Sequence, residues 1–260
     1  MAGKTTGLAL SGGGARGFAH VGVLRVLAEH NIPIEVVSGT SAGSIVGGAL
    51  AAGMSADEIY DLSSKVGWFN MTGFSYSPRG LLTNKPMGDL LTASLPATRF
   101  EDLQKPFAAV AYDIENSKEV VLQGKGNLIT AIRASCAVPG VFVPVQDDEG
   151  RMLVDGGVVS PMPTRAVKKL GADAIIAVDV LSCGSTFRHT PKTLVGTFIQ
   201  AAMTLVRTAS INQHYRADVV IEPQIAHIRP DEIRRRDELV SLGEEAALAK
   251  IDDIKELLGI

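Results

Sequence analysis

Apolar residues fall in two rhythms along this chain, short runs of strand length and longer stretches at helical spacing. Gly7-Leu8-Ala9-Leu10 is the first short run, and Val21, Leu24 and Leu27 then mark one face of an amphipathic helix over 18–29. The β-branched pair Val36-Val37 predicts a buried strand, and the small apolar residues after Ala42 predict a close-packed helix. Ser55 with Glu58 three residues on forms a capping box that opens another helix. Beyond it the pattern predicts a helix over 86–94, strands over 107–113 and 120–123 paired across 115–118, and a helix over 128–138 ended by Pro139-Gly140. Strands over 141–145 and 152–154 follow, then a helix over 163–170, a strand over 174–180, a long helix within 191–215 and a strand over 218–222. Ser241 and Glu244 repeat the capping-box spacing and predict a C-terminal helix over 241–258 that buries Ala247, Ile251, Ile254 and Leu258. Alternation of this kind predicts an α/β fold. One stretch breaks the rhythm: Trp68 to Pro78 gathers aromatic residues without periodicity, so 68–82 is either a lid or lining over an apolar pocket or a packed irregular connection.

Composition narrows the class. With 260 residues, 46% hydrophobic and 20% charged, the chain fits one large globular α/β domain over 1–260. The net charge is −3, and no basic stripe with interleaved aromatics stands out, which argues against nucleic acid as a partner. Arg234-Arg235-Arg236 lies between acidic residues and reads as a solvated helix face. Cys136 and Cys183 form neither a disulfide framework nor a metal-ligand spacing, so both are expected reduced and buried. The run 36–54 carries no charge and approaches membrane-spanning length. Its glycines and hydroxyls, with Glu35 and Asp57 close by, fit a buried strand and core helix better. The N-terminal apolar run is too short for a signal peptide, and the expected location is cytoplasmic.

Candidate chemistry sits at the strand ends. Gly39-Thr40-Ser41-Ala42-Gly43 fits G-x-S-x-G between a strand and a helix, the setting of a nucleophile elbow, with the Ser41 hydroxyl at a helix N-terminus. Gly12, Gly14 and Gly17 fit G-x-G-x-x-G, but a dinucleotide site needs an acidic residue about 20 positions on, at the end of the second strand. Val37, Ser38 and the Ser41 turn occupy that place, and Glu35 comes too early. Three successive glycines instead expose N–H groups to an anion. If the first two strands are neighbours, the N–H groups of Gly12, Gly13, Gly14, Ala15 and Arg16 can face an oxyanion formed at Ser41. The Arg16 cation would hold this loop or meet an anionic head group. A serine nucleophile also needs a base. Five histidines, His20, His30, His189, His214 and His227, are available, and Asp155 stands at a strand end before Gly156-Gly157, although Asp-Gly also marks a turn. Aspartate is a weaker base than imidazole and would need a short, direct hydrogen bond. From the residues alone the base stays open between Asp155 and a histidine.

In their order and spacing, Gly12 to Gly17, Gly39 to Gly43 and Asp155-Gly156-Gly157 resemble the three signatures of patatin-like phospholipases, as does the block Ala134-Ser135-Cys136-Ala137-Val138-Pro139-Gly140-Val141-Phe142. The likeness covers residues 7 to about 222 and is nearest the compact bacterial members. It implies a three-layer α/β/α fold with a mainly parallel central sheet. It also implies a serine lipid acyl hydrolase (phospholipase, lysophospholipase or esterase) that forms an acyl-enzyme without metal, cofactor or histidine. Carried over by position, the resemblance makes Ser41 the nucleophile, Asp155 the base and the N–H groups from Gly12 to Arg16 the oxyanion hole. Gly17, Gly39, Gly43, Gly156 and Gly157 complete the motifs; the family often has Ala at the place of Gly157. The expected partner is a phospholipid, lysophospholipid or other acyl ester, met in peripheral contact with a membrane surface. An acyltransferase on the same two residues, a lipid-sensing module with an idle site and a Ser–His–Asp hydrolase are the alternatives.

Overall fold

The computed structural model describes residues 4–182 and 193–260, and the backbone alone for 68, 69, 194–196, 198 and 199. Strand β1 (Thr6–Leu10), helix α1 (Phe18–Glu29), strand β2 (Val36–Thr40) and helix α2 (Ala42–Ala51) come first. Helices α3 (Ala56–Ser63) and α4 (Trp68–Met71), the hairpin β3 (Gly73–Phe74) and β4 (Gly80–Thr83), and helix α5 (Lys85–Ser94) follow. The middle of the chain forms β5 (Phe107–Asp113), β6 (Lys118–Gln123), α6 (Leu128–Ser135), β7 (Gly140–Phe142), β8 (Val145–Gln146) and β9 (Met152–Asp155). It closes with α7 (Thr164–Lys169), β10 (Ala174–Val178), α8 (Leu194–Ile211), β11 (Val219–Ile221), α9 (Arg236–Leu248) and α10 (Ile251–Leu258).

Five strands run parallel in the order β11-β10-β1-β2-β5; β6 and β9 pair antiparallel with β5, and β8 pairs antiparallel with β9. Strands buried on both faces explain the nearly continuous apolar runs of β1, β5 and β10. Alternation sorts their side chains: Leu8, Leu10, Val37, Phe107, Ile176 and Val178 face the large core shared with α1, α2, α6 and α9. Ala9, Val36, Ile175 and Ala177 face the smaller core under α7. The expected three layers and mainly parallel sheet are what the chain forms.

Several expectations are corrected. Helix α1 is buried almost all round, because α9 packs closely against it. The two axes approach closely at paired glycines. A Cβ on Gly22 would lie 2.0 Å from the Val240 carbonyl oxygen, and one on Gly243 would lie 2.0 Å from that of Ala19. Ser241 therefore sits inside α9 rather than capping it; the C-terminal stretch is two helices, broken at Ala249-Lys250, with Ala247, Ile251 and Ile254 buried and Leu258 partly so. The helix expected over 128–138 stops at Ser135, and the strand expected over 141–145 divides between two sheets, β7 pairing with β4 and β8 with β9. Strand β10 ends at Val178, because the Asp179 carboxylate takes the N–H groups of Leu181 and Ser182. Cys136 is free and buried as expected, while Cys183 and His189 lie outside the described residues.

The α1–α9 crossing makes a prediction that runs against helix propensity. Alanine is the better helix former by about 1 kcal/mol, yet the clash at Gly243→Ala costs more, and the variant should lose about 1–3 kcal/mol in urea unfolding. Stability equal to or above the native value would show that the crossing has room to give.

Candidate active site

Strand β5 brings Ser41 and Asp155 together. Strand β6 occupies one of its edges from Ala108↔Gln123 to Asp113↔Lys118. The other edge is divided: β2 pairs with it as far as Thr40↔Val110, and β9 begins at Ala111↔Asp155. A parallel and an antiparallel strand thus end head to head on consecutive residues of β5. Ser41 follows the end of one and Asp155 is the end of the other. The junction has no room for side chains: a Cβ on Gly156 would lie 2.3 Å from the Val110 carbonyl oxygen.

Ser41 has φ 51 and ψ −123, a conformation that costs a non-glycine residue energy and persists only where its surroundings impose it. Its N–H donates to Ser135 Oγ at 2.9 Å, and that hydroxyl donates to the Val110 carbonyl at 2.6 Å. Its carbonyl accepts from the Ser44 hydroxyl at 2.7 Å and the Ser44 N–H at 2.8 Å. The flanking glycines let the backbones meet, since a Cβ on Gly39 would lie 2.2 Å from Gly43 O and one on Gly43 would lie 2.2 Å from Leu10 O. Gly17 closes against Ala42 in the same way. Strand β2 is also pinned on the α7 side, Ser38 Oγ donating to Pro163 O and Thr40 Oγ1 to Ser160 O.

The Asp155 carboxylate is buried and accepts a hydrogen bond from the Gly157 N–H at 2.7 Å, with the Ser41 hydroxyl close enough to act on its ionisation. Burial lifts its pKa to about 6, and the neighbouring Ser41 hydroxyl and the Gly157 N–H pull the other way. The Cys136 thiol lies beside this pair, 3.7 Å from Ser44 Oγ, and burial raises its pKa far enough to keep it protonated.

The glycine loop packs on the elbow, with the Cβ position of Gly12 3.3 Å from that of Ser41. Not all of its five N–H groups are free. Gly12 donates to Pro161 O, Ala15 to Pro230 O and Arg16 to Gly13 O. Among the described residues, the N–H groups of Gly13 and Gly14 have no such acceptor. The Arg16 guanidinium is buried and donates to Ile228 O at 2.7 Å, so it holds the loop and is not placed to meet a head group. His20 bonds Ser11 O through Nε2 at 2.9 Å, and burial lowers its pKa to about 4. His214 is bonded to Asp179, His227 pairs with Glu238, and His30 lies near Lys255, so none of the four described histidines is bonded to Ser41.

Ser41 opens into a cavity of about 210 Å³. Phe18, Val21, Ile45, Leu62, Met87 and Phe142 supply much of its wall, Gly14 and Ala15 reach it from the glycine loop, and no charged side chain lines it among the described residues. Among the described residues of the 68–82 stretch only Met71 and Thr72 reach the cavity. Two shallower clefts lie at the other ends of the strands, beside Lys168 and Lys250, away from Ser41. Among the described residues no group of three or more His, Cys, Asp or Glu is placed to hold a metal ion. Ser135, Ser44 and Asn84 carry no motif signal of their own. A hydroxyl three residues after the elbow and the 134–142 block were the available hints, whereas Pro230 and Ile233 left none.

A patatin-like phospholipase domain-containing protein of Caenorhabditis elegans is 34% identical over 195 residues, 72% of this chain and 14% of the relative. The lysophospholipase nte1 of Neurospora crassa is 34% identical over 198 residues, 74% of this chain and 13% of the relative. An uncharacterized NTE family protein of Mycobacterium tuberculosis is 38% identical over 176 residues, 66% of this chain and 48% of the relative. The chain therefore spans less than half the length of each. VipD from Legionella pneumophila shares the fold with a TM-score of 0.59 at 17% identity, over 96% of this chain and 67% of that one. The family model described as patatin-like phospholipase matches residues 8–168, and the chain belongs to the patatin-like phospholipase family.

Proposed function

We propose that this chain is a serine lipid acyl hydrolase in which Ser41 and Asp155 form the catalytic pair. The observation that carries this reading is the Ser41 hydroxyl, held on a strained turn at an apolar cavity and beside the buried Asp155 carboxylate. As Ser41 Oγ attacks the acyl carbonyl carbon, its proton passes to Asp155. The N–H groups of Gly13 and Gly14, at the N-terminal end of the turn leading into α1, receive the oxyanion. Collapse breaks the ester C–O bond, and Asp155 returns the proton to the departing alcohol. Water then gives a proton to Asp155, its oxygen attacks the acyl-enzyme, and the fatty acid leaves as Ser41 regains its hydrogen. An uncharged, largely apolar cavity suits an acyl chain, which supports phospholipid, lysophospholipid or another acyl ester as substrate.

Hydrolysis of p-nitrophenyl butyrate tests the pair. Ser41→Ala and Asp155→Asn, each with native circular dichroism, should lose at least about a thousand-fold in kcat/KM. Full activity in Asp155→Asn would move the base elsewhere, with His189 the first residue to substitute. An inert native protein, on this ester and on lysophosphatidylcholine alike, would bring the lipid-sensing alternative forward.

The raised pKa of Asp155 fixes the direction of the pH dependence. Only the carboxylate accepts the Ser41 proton, so kcat/KM should be low in acid, rise through pH of about 6 and level off above it. A profile that falls as pH rises through this range would mean that a protonated acid, not a carboxylate base, limits the reaction.

A further inference from the structure

The small sheet β3-β4-β7 adjoins the cavity at Phe142, and this sheet has an unusual distribution of apolar side chains. Val138, just before β7, and Phe142, its last residue, line the cavity. Leu82 pairs in register with Phe142 on one neighbour and with Phe74 on the other, which puts Phe74 on the Phe142 face at the free edge. Leu81 and Val141 alternate to the opposite face. Phe74 is 91% exposed, Leu81 74% and Tyr76, in the turn between the strands, fully exposed. The free end of the hairpin therefore presents large apolar groups on both of its faces. Apolar groups on both faces of a free hairpin end suit immersion in an apolar medium, which covers both at once.

Charge favours the same partner. Between Asp61 and Asp89 the charged residues are Lys65, Arg79 and Lys85, all basic, in a protein of net charge −3. Among the described residues only Lys85 of these makes an ion pair, with Asp89. Arg79 stands in the hairpin turn, three residues from Tyr76, where a cation and a tyrosine hydroxyl suit the boundary between acyl chains and head groups.

We propose that the β3–β4 hairpin, with the adjoining β7, is the edge by which this protein inserts into an anionic lipid surface, setting the cavity mouth against the lipid. The proposal rests on the reading of the cavity as an acyl-ester site, but its test does not. Native protein should co-sediment with phosphatidylcholine vesicles that contain phosphatidylglycerol, and less with phosphatidylcholine alone. The triple variant Phe74→Ser, Tyr76→Ser, Leu81→Ser should bind at least about ten-fold more weakly, while hydrolysing monomeric p-nitrophenyl butyrate as the native protein does. Arg79→Glu should cut the preference for anionic vesicles by at least about five-fold. Should the triple change disturb the hairpin, Tyr76→Ser with Arg79→Glu, both in the turn, reads the same loss. Native-like vesicle binding by the folded triple variant overturns the proposal, as does a native protein that binds no vesicles. A native dimer in sedimentation equilibrium that the triple variant converts to monomer also overturns it, by assigning the edge to a second copy. Loss of vesicle binding alongside a native protein inert on esters would leave the inserting edge in place and remove the hydrolase reading instead.

Discussion

The arrangement around Ser41 follows from the way two strands share one edge of β5. Strand β2 uses that edge up to Val110 and β9 uses it from Ala111, so their ends must meet, with Ser41 just past the end of one and Asp155 at the end of the other. The junction is narrow enough that Gly39, Gly43 and Gly156 each have backbone carbonyls where a Cβ would stand. With no side chain able to intervene, the chain leaves β2 through a conformation that serine would not adopt alone, and Ser135 fixes it by bonding the Ser41 amide to Val110. Strain, proximity and the burial that lifts the Asp155 carboxyl have one geometric cause.

Around this junction, buried polar groups act as ties between loops. Ser38 and Thr40 face the smaller core, where valine would pack as well, but their hydroxyls bond the carbonyls of Pro163 and Ser160 and fix the segment that follows Asp155. Arg16 spans from the glycine loop to Ile228, and the Ala15 N–H bonds Pro230, so the distant 228–230 segment is held against the loop at two points. Asp179 collects Ser210, His214 and the amides of Leu181 and Ser182. Burial works to raise its pKa, but these bonds outweigh it and hold the carboxyl below the usual range, while His214 is raised by the same contact. His20, uncharged by burial, bonds the carbonyl that begins the glycine loop. Two of the histidines that sequence offered as bases, His20 and His214, are thus part of the scaffold.

Sequence periodicity located most of the strands and helices because each strand faces one core layer or two, and side-chain alternation records that directly. It failed where a second layer of packing replaced solvent. Helix α1 reads as one-sided, yet Gly22 lets α9 approach its other side, and Ser241, which resembles a cap, is carried into the middle of α9 by that contact. The division of 141–145 between two sheets was equally hidden, since Val141 to Val145 has no punctuation except Pro144. At the site, the motifs marked Ser41, Asp155 and the glycine loop, because tight turns demand glycine at fixed spacings. They did not mark Ser135, whose role depends on β5 running past it, and they overcounted free N–H groups, because Pro161 and Pro230 reach the loop from far along the chain.

Chain connectivity makes the small sheet and the elbow parts of one short lever. Helix α6 ends at Ser135, β7 begins at Gly140, and β8 rejoins the main sheet at Val145. The segment carrying Val141 is therefore clamped on both sides within a few residues, and one clamp is the hydroxyl that holds the Ser41 amide. A tilt of β7 has little slack chain in which to dissipate before it reaches that bond. Whatever the small sheet rests against gains a mechanical route to the backbone torsion of Ser41.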